Sequence, residues 1–199
     1  MQPLFADQPI PLSVLVLSLL IWRVIEAGVD IRSFKRLRAG ARRQDQGSRV
    51  VLLCVVTLGL LFGTLLAFWV PATAITSARI VAFWLGILLI NAGVAFRLYA
   101  IHALGAYFTT AVAVAPEQTV IEVGPYRLIR HPSYTGFLIT VLGLGLCCTN
   151  WLSLLIMVGC ALIGFSYRMH VEERVLQRQL GQPYQVYMRR TKRLVPFVL

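Results

Sequence analysis

From Val50 to Val70 the sequence runs for 21 residues without a charged side chain. At ~1.5 Å per residue that is long enough to cross a ~30 Å hydrocarbon core. Backbone groups in lipid must be satisfied within their own segment, so a run of this kind folds as a helix. Four other apolar runs accompany it, at about Ile10–Val29, Ile80–Ile101, Thr135–Thr149 and Trp151–Tyr167. Only Asn150 separates the last two, and the first of that pair is short. Together they predict a helical hairpin with short or tilted arms. With 58% hydrophobic and 14% charged residues, the composition excludes an ordinary soluble domain. The expected fold is an all-α integral membrane protein with about five transmembrane helices in a single membrane domain over residues 1–199. A polar segment at 102–134 and a tail at 168–199 complete it. The tail opens as a helix and is expected to stop near Gly181 and Pro183.

The formal net charge of +11 suggests nucleic acid until the charges are placed. With the N-terminus outside, the loop at 30–49, the segment at 102–134 and the tail share one side, and Arg79 alone occupies an outer loop. This asymmetry marks the basic side as cytoplasmic and removes the case for a nucleic-acid partner. The 30–49 loop, with Arg32, Lys35, Arg36, Arg38, Arg42, Arg43 and Arg49, is expected to meet anionic membrane lipids. In the first span Arg23 and Glu26 lie three apart and can pair with each other or snorkel. Asp7 is the only charged side chain before Arg23, so a cleaved signal peptide is not expected. Cys54, Cys147, Cys148 and Cys160 all lie in apolar runs and read as small packing residues. Gly59 and Gly63 form a GxxxG pattern that marks close helix packing and leaves the oligomeric state open.

Chemistry concentrates elsewhere. Gly124 to Tyr134 is polar, aromatic and turn-prone, within a segment punctuated by Gly105, Pro116, Gly124, Pro125 and Pro132. Arg97 lies about a turn inside the end of the third span. Arg168 ends the fifth, sharing a helical face with Glu172 at i+4 and followed by Glu173. Ionisable groups at that depth mark function, unless the arginines snorkel to lipid phosphates. His131 also reads as a cap in a proline-fixed turn, with Tyr126 and Tyr134 as interfacial aromatics. One histidine without a second His or Cys nearby makes a poor ligand set, so no metal is expected.

Gly124-Pro125-Tyr126, then Arg130-His131-Pro132-Ser133-Tyr134 with Gly136, then Glu172-Glu173, then Gly181 with Tyr184 and Tyr187, and a final Pro196-Phe197 form an ordered set. The set resembles the isoprenylcysteine carboxyl methyltransferase family, which is related to phospholipid methyltransferases. The likeness runs from about Gly93 onward, and the first two spans carry no motif. The resemblance implies a membrane enzyme that uses S-adenosylmethionine without a Rossmann domain, and no strand-borne GxGxxG is present. It also implies that Gln118, Thr119, Val120 and Ile121 line the cofactor, that Tyr126, His131, Pro132, Ser133 and Tyr134 continue the wall, and that Glu172 binds it from the tail helix. Ala113 matches a position that is Gln in animal members, and Gln118 replaces a His. Arg97 and Arg168 match catalytic arginines near the substrate, and Arg190 matches a further basic position.

Methyl transfer is an in-line displacement in which orientation and charge placement supply most of the rate. A carboxylate acceptor, with a pKa of about 4, is already ionised and needs orienting cations such as Arg97 and Arg168. An amine acceptor needs a base, for which Glu172, Glu173 and His131 are the candidates. The expected function is S-adenosylmethionine-dependent O-methylation of a lipophilic, isoprenylcysteine-like carboxylate that arrives sideways from the bilayer. A phospholipid or amine N-methyltransferase and a non-enzymatic membrane binding protein remain as alternatives.

Overall fold

The computed structural model describes residues 2–38, 42–43, 45–114 and 118–196. Pro116 and Phe197 therefore lie outside the described residues. The chain begins with a one-turn helix α1 (Leu4–Asp7) and a long helix α2 (Pro9–Arg38). A two-residue strand β1 (Arg42–Arg43) precedes α3 (Ser48–Trp69), and α4 (Arg79–Leu104) follows. After the strand β2 (Ala113–Val114) come α5 (Pro132–Cys147), α6 (Trp151–Leu180) and α7 (Gln182–Arg190). Four of these helices are long and apolar enough to cross a membrane, while α5 belongs to the shorter apolar class. The protein is an all-α integral membrane protein.

The expected span at 50–70 coincides closely with α3, because nothing but apolar side chains defines it. The end of α2 differs from expectation, and the fifth span and the tail helix prove to be one continuous helix, α6, which stops at Gly181 as expected. The first nine residues of the expected basic loop, 30–38, continue α2. Likewise α6 runs on from Tyr167 to Leu180. Leaving the hydrocarbon is a change of solvent, not a helix stop, and neither stretch holds a Gly or Pro breaker. What ends α6 is Gly181, whose φ of +61° is a conformation that favours glycine. Pro183 then sits in the first turn of α7 and starts a new helix, where its missing N–H does no harm. Helix α5 begins at Pro132, earlier than expected. The His-Pro-Ser-Tyr motif therefore occupies its N-terminal end and first turn, not a preceding loop.

Helix α5 lies between α4 and α6, with α3 on α6 and α2 on α4. The α4–α5 contact is made by backbone. A Cβ on Gly136 would stand 2.7 Å from the Arg97 amide nitrogen and 2.8 Å from the Gly93 carbonyl oxygen. Gly59 and Gly63 face Cys160 and Met157 of α6, so the GxxxG pattern serves packing within the chain. Val56, Val141, Met157, Ala161 and Phe165 form the main core between α3, α5 and α6. A second cluster gathers Leu4, Leu15, Phe83, Ile90 and Cys147.

The two ends of the bundle are fastened differently. At one end Asn150 accepts from the Ser153 amide at 3.1 Å, donates to the Val70 carbonyl at 3.0 Å and accepts from the Thr73 hydroxyl at 2.9 Å. At the other end β1 pairs antiparallel with β2, joining the connection after α2 to the polar segment. There the tail also returns. Ile129 and Lys192 form a parallel bridge, the His131 amide donates to the Arg193 carbonyl at 3.0 Å, and the Thr135 hydroxyl donates to the Leu194 carbonyl at 2.8 Å.

Candidate active site

The tail, the polar segment and the ends of α4, α5 and α6 enclose a cavity of about 820 Å³, including its open mouth. Ala113, Gln118, Thr119, Val120, Ile121, Tyr126, His131, Ser133, Tyr134 and Glu172 all line it. Pro132 does not. It is buried at the first turn of α5, where it fixes the direction of the residues that do line the cavity. Arg130 and Tyr184 also line it, from motif positions without an assigned role, as do Tyr107, Phe108, Val112 and Tyr187.

His131 opens α5, and its ring stacks on that of Tyr134, with centroids 5.3 Å apart and planes 7° from parallel. The Tyr134 hydroxyl donates to Glu172 Oε2 at 2.5 Å. Glu172 presents its carboxylate to the cavity, 3.8 Å from His131 Nδ1. Its neighbour Glu173 faces the protein interior. Arg130 Nε at 2.8 Å, Arg193 Nη2 at 2.8 Å and His131 Nε2 at 3.3 Å surround it. Adjacent carboxylates thus have separate uses: Glu173 ties the tail to the wall, and Glu172 is left facing open space.

The tyrosines of the tail complete the wall. Tyr187 donates to the Tyr126 carbonyl at 2.8 Å. Burial, followed by the Glu172 carboxylate, pushes the Tyr126 phenol far above its ordinary value, and the same two causes act on Tyr184. These phenols stay neutral at any physiological pH and serve as walls, not as bases.

Arg97 and Arg168 stand one layer behind the wall. Arg97 Nη1 donates to the Ser133 hydroxyl at 2.7 Å and to the Ser133 carbonyl at 3.1 Å. Its Nε and Nη2 donate to Glu26 at 2.6 and 3.1 Å. Glu26 is therefore the partner of Arg97 and not, as the three-residue spacing suggests, of Arg23. Arg168 Nε donates to the Tyr134 hydroxyl at 3.2 Å, and its Nη2 to the Thr110 carbonyl at 2.8 Å. Its Nη1 donates to Ser48 Oγ at 2.8 Å and pairs with Asp45. Asp45 escaped the sequence reading because a lone acid in a basic loop carries no local signal. Burial alone would raise its carboxyl. The Arg49 and Val112 amides and the Arg168 guanidinium outweigh that and hold it below the usual range. Arg190 is exposed at the outer rim, 2.9 Å from Glu122, beside the cavity and not in it. Among the described residues, no group of three or more His, Cys, Asp or Glu side chains could hold a metal ion.

Residues 84–178 match the isoprenylcysteine carboxyl methyltransferase (ICMT) family. Over that stretch, just under half of its length, the chain is similar to this family. The matched stretch contains nearly the whole cavity wall, leaving out only Leu180, Tyr184 and Tyr187. Among relatives, a probable protein-S-isoprenylcysteine O-methyltransferase of Oryza sativa subsp. indica is 31% identical over 117 residues, covering 58% of this chain and 61% of the relative. Protein-S-isoprenylcysteine O-methyltransferase B of Arabidopsis thaliana is 32% identical, covering 57% and 58%. The Saccharomyces cerevisiae protein-S-isoprenylcysteine O-methyltransferase is 34% identical, covering 57% of this chain and 48% of its own length. The chain thus spans about three fifths or less of these ICMT relatives. The solved structure of the eukaryotic intramembrane Ras methyltransferase ICMT superposes with a TM-score of 0.60 at 22% identity, covering 73% of this chain and 52% of that one. That likeness establishes a shared fold.

Proposed function

We propose that this protein is an S-adenosylmethionine-dependent methyltransferase that O-methylates the carboxylate of a lipophilic, isoprenylcysteine-like acceptor at the cytoplasmic face of the membrane. One observation carries the reading: a cavity built almost wholly from the family-matched stretch has an aromatic wall and one carboxylate, Glu172, that lines it. A donor that is both aromatic and cationic suits such a lining. When bound, S-adenosylmethionine supplies a sulfonium methyl, which the acceptor oxygen takes as the carbon–sulfur bond breaks and its electron pair stays on sulfur.

The chain's own residues bind and orient. Ala113 and the run Gln118–Ile121 line the donor through their backbone, with the aromatic wall of Tyr126, His131 and Tyr134 opposite, and Glu172 meets the donor's positive charge. An acceptor carboxylate, ionised at neutral pH, needs no proton removed. It needs donors, and Ser133 lines the cavity with its hydroxyl accepting from Arg97 and its own proton left to give, while Arg168 stands behind Tyr134. Arg190 at the outer rim serves as a further basic contact. The alternative, amine methylation, is less well served. Arg130, Arg193 and His131 hold Glu173, and Glu172, which already accepts from Tyr134, is the carboxylate assigned to the donor's charge. The hydrocarbon part of the acceptor reaches the cavity from the bilayer, and S-adenosylmethionine reaches it from water.

The test uses purified protein, methyl-labelled S-adenosylmethionine and an S-farnesylcysteine analogue. Base-labile methyl ester is the expected product. Base-stable label in a lipid amine would replace the carboxylate reading with the amine one. No transfer and no calorimetric binding of the donor by folded protein would remove the enzyme reading altogether.

A further inference from the structure

Two carboxylates from outside the matched stretch reach the site from behind. Glu26 lies in α2 and Asp45 just ahead of α3, and both precede residue 84, where the family match begins. Each grips one of the two arginines, and each arginine grips one hydroxyl of the cavity wall. The first chain runs Glu26, Arg97, Ser133, with Nε–Oε1 at 2.6 Å and Nη1–Oγ at 2.7 Å. The second runs Asp45, Arg168, Tyr134, Glu172, its last two links at 3.2 and 2.5 Å. Asp45 does more than pair. It also accepts from the Val112 amide at 3.2 Å, and Val112 is itself part of the wall. The Ser48 hydroxyl and Arg49 amide, each at 3.1 Å, fix the carboxylate in turn. Side-chain exposure is 2% for Asp45 and 3% for Arg168, so water cannot substitute for either partner.

We propose that Glu26 and Asp45 are positioning residues for the transfer site, setting Ser133 and Tyr134 through Arg97 and Arg168. This rests on reading the cavity as a methyl-transfer site. A buried guanidinium stripped of its carboxylate turns to the next one within reach. For Arg168 that is Glu172, one turn along α6 and already joined to it through Tyr134. Loss of Asp45 would therefore draw Glu172 away from the cavity and tilt the Tyr134 ring. Among the described residues no second carboxylate pairs with Arg97, so loss of Glu26 disturbs Ser133 and spares Glu172.

The decisive experiment compares Asp45→Asn and Glu26→Gln in protein carrying 3-fluorotyrosine at position 134. Asp45→Asn should move the fluorine resonance, and Glu26→Gln should leave it nearly in place. Both should lower kcat for the farnesylcysteine analogue by about 10- to 100-fold, the cost of a misplaced reacting geometry. Only Asp45→Asn should also weaken calorimetric binding of S-adenosylmethionine, and Asp45→Glu should restore part of each loss. If Asp45→Asn does not fold, Ser48→Ala removes one Nη1 partner of Arg168 and should give a smaller shift of the same sign. An unmoved Tyr134 resonance, or unchanged kcat in both variants, overturns the proposal. A wild-type protein that makes no methyl ester overturns the transfer-site reading instead, and the fluorine resonance still tests the chain of contacts.

Discussion

Glu172→Gln is the sharpest probe of the cavity. The substitution keeps size and shape, keeps an oxygen for the Tyr134 hydroxyl at 2.5 Å, and removes one negative charge from the lining. Opposite charges 4 Å apart at an effective dielectric near 20 attract by about 4 kcal/mol. The Glu172 side chain is 28% exposed, so solvent screens part of that attraction. Half of it, about 2 kcal/mol, agrees with the ~1.5–3 kcal/mol of a charge-assisted hydrogen bond. The expected loss is about 30-fold in Kd for S-adenosylmethionine. Calorimetry should be run in parallel with the demethylated product, which lacks the sulfonium charge. If Glu172 faces the sulfonium, the product's affinity is nearly untouched. If it faces the amino group common to both, the two ligands weaken equally. Binding of both ligands within about twofold of wild type would refute the electrostatic role, since 2 kcal/mol could not vanish by screening alone.

Gly136→Ala should destabilise the protein by about 3 kcal/mol or more, because the new Cβ meets backbone at 2.7 Å and backbone cannot swing aside; a thermal scan in detergent reads it, and an unchanged midpoint would show that α4 and α5 separate easily. Asn150→Ala removes the N-cap of α6 and the tie to Val70 and Thr73, which should lower stability by about 2 kcal/mol while leaving donor affinity unchanged, since it lies at the end of the bundle away from the cavity. The carboxyl of Asp45 is held below its usual value, so its stabilisation is fully present above a pH of about 4 and is lost as pH falls through the lowered folded-state value. The melting advantage of wild type over Asp45→Asn should then stay level from pH 8 to pH 5 and shrink only in stronger acid; an advantage that already fades near pH 6 would contradict it.

Local composition made the membrane helices legible. Val50–Val70 could be read to within two residues of α3 because hydrophobicity alone decides that helix. Charged residues hid where α2 ends and that the fifth span runs unbroken into the tail helix, since a helix that leaves lipid for water need not unwind, while Gly181 marked the end of α6. The cavity lining was legible as far as the motif ran: Gly124 to Tyr134 and Glu172 are ordered, turn-rich and polar. Contacts between distant parts were not legible. Asp45 and Arg168 are 123 positions apart, and Glu26 and Arg97 are 71 apart, so no window of sequence contains either pair. The Arg23–Glu26 spacing pointed to a nearer partner, and the fold preferred Arg97. Glycines 93 and 136 were visible as small residues, but only the structure shows that each makes room for the other's helix.

The return of the tail bears on how the protein is made. Ile129 is joined to Lys192, Thr135 to Leu194 and Arg193 to Glu173. Leu194 is made 59 positions after Thr135 and later than any of the long helices, so this side of the chamber stays unfastened until it emerges. A nascent chain stalled short of residue 194 therefore carries the long helices without the contacts that fasten this wall of the chamber.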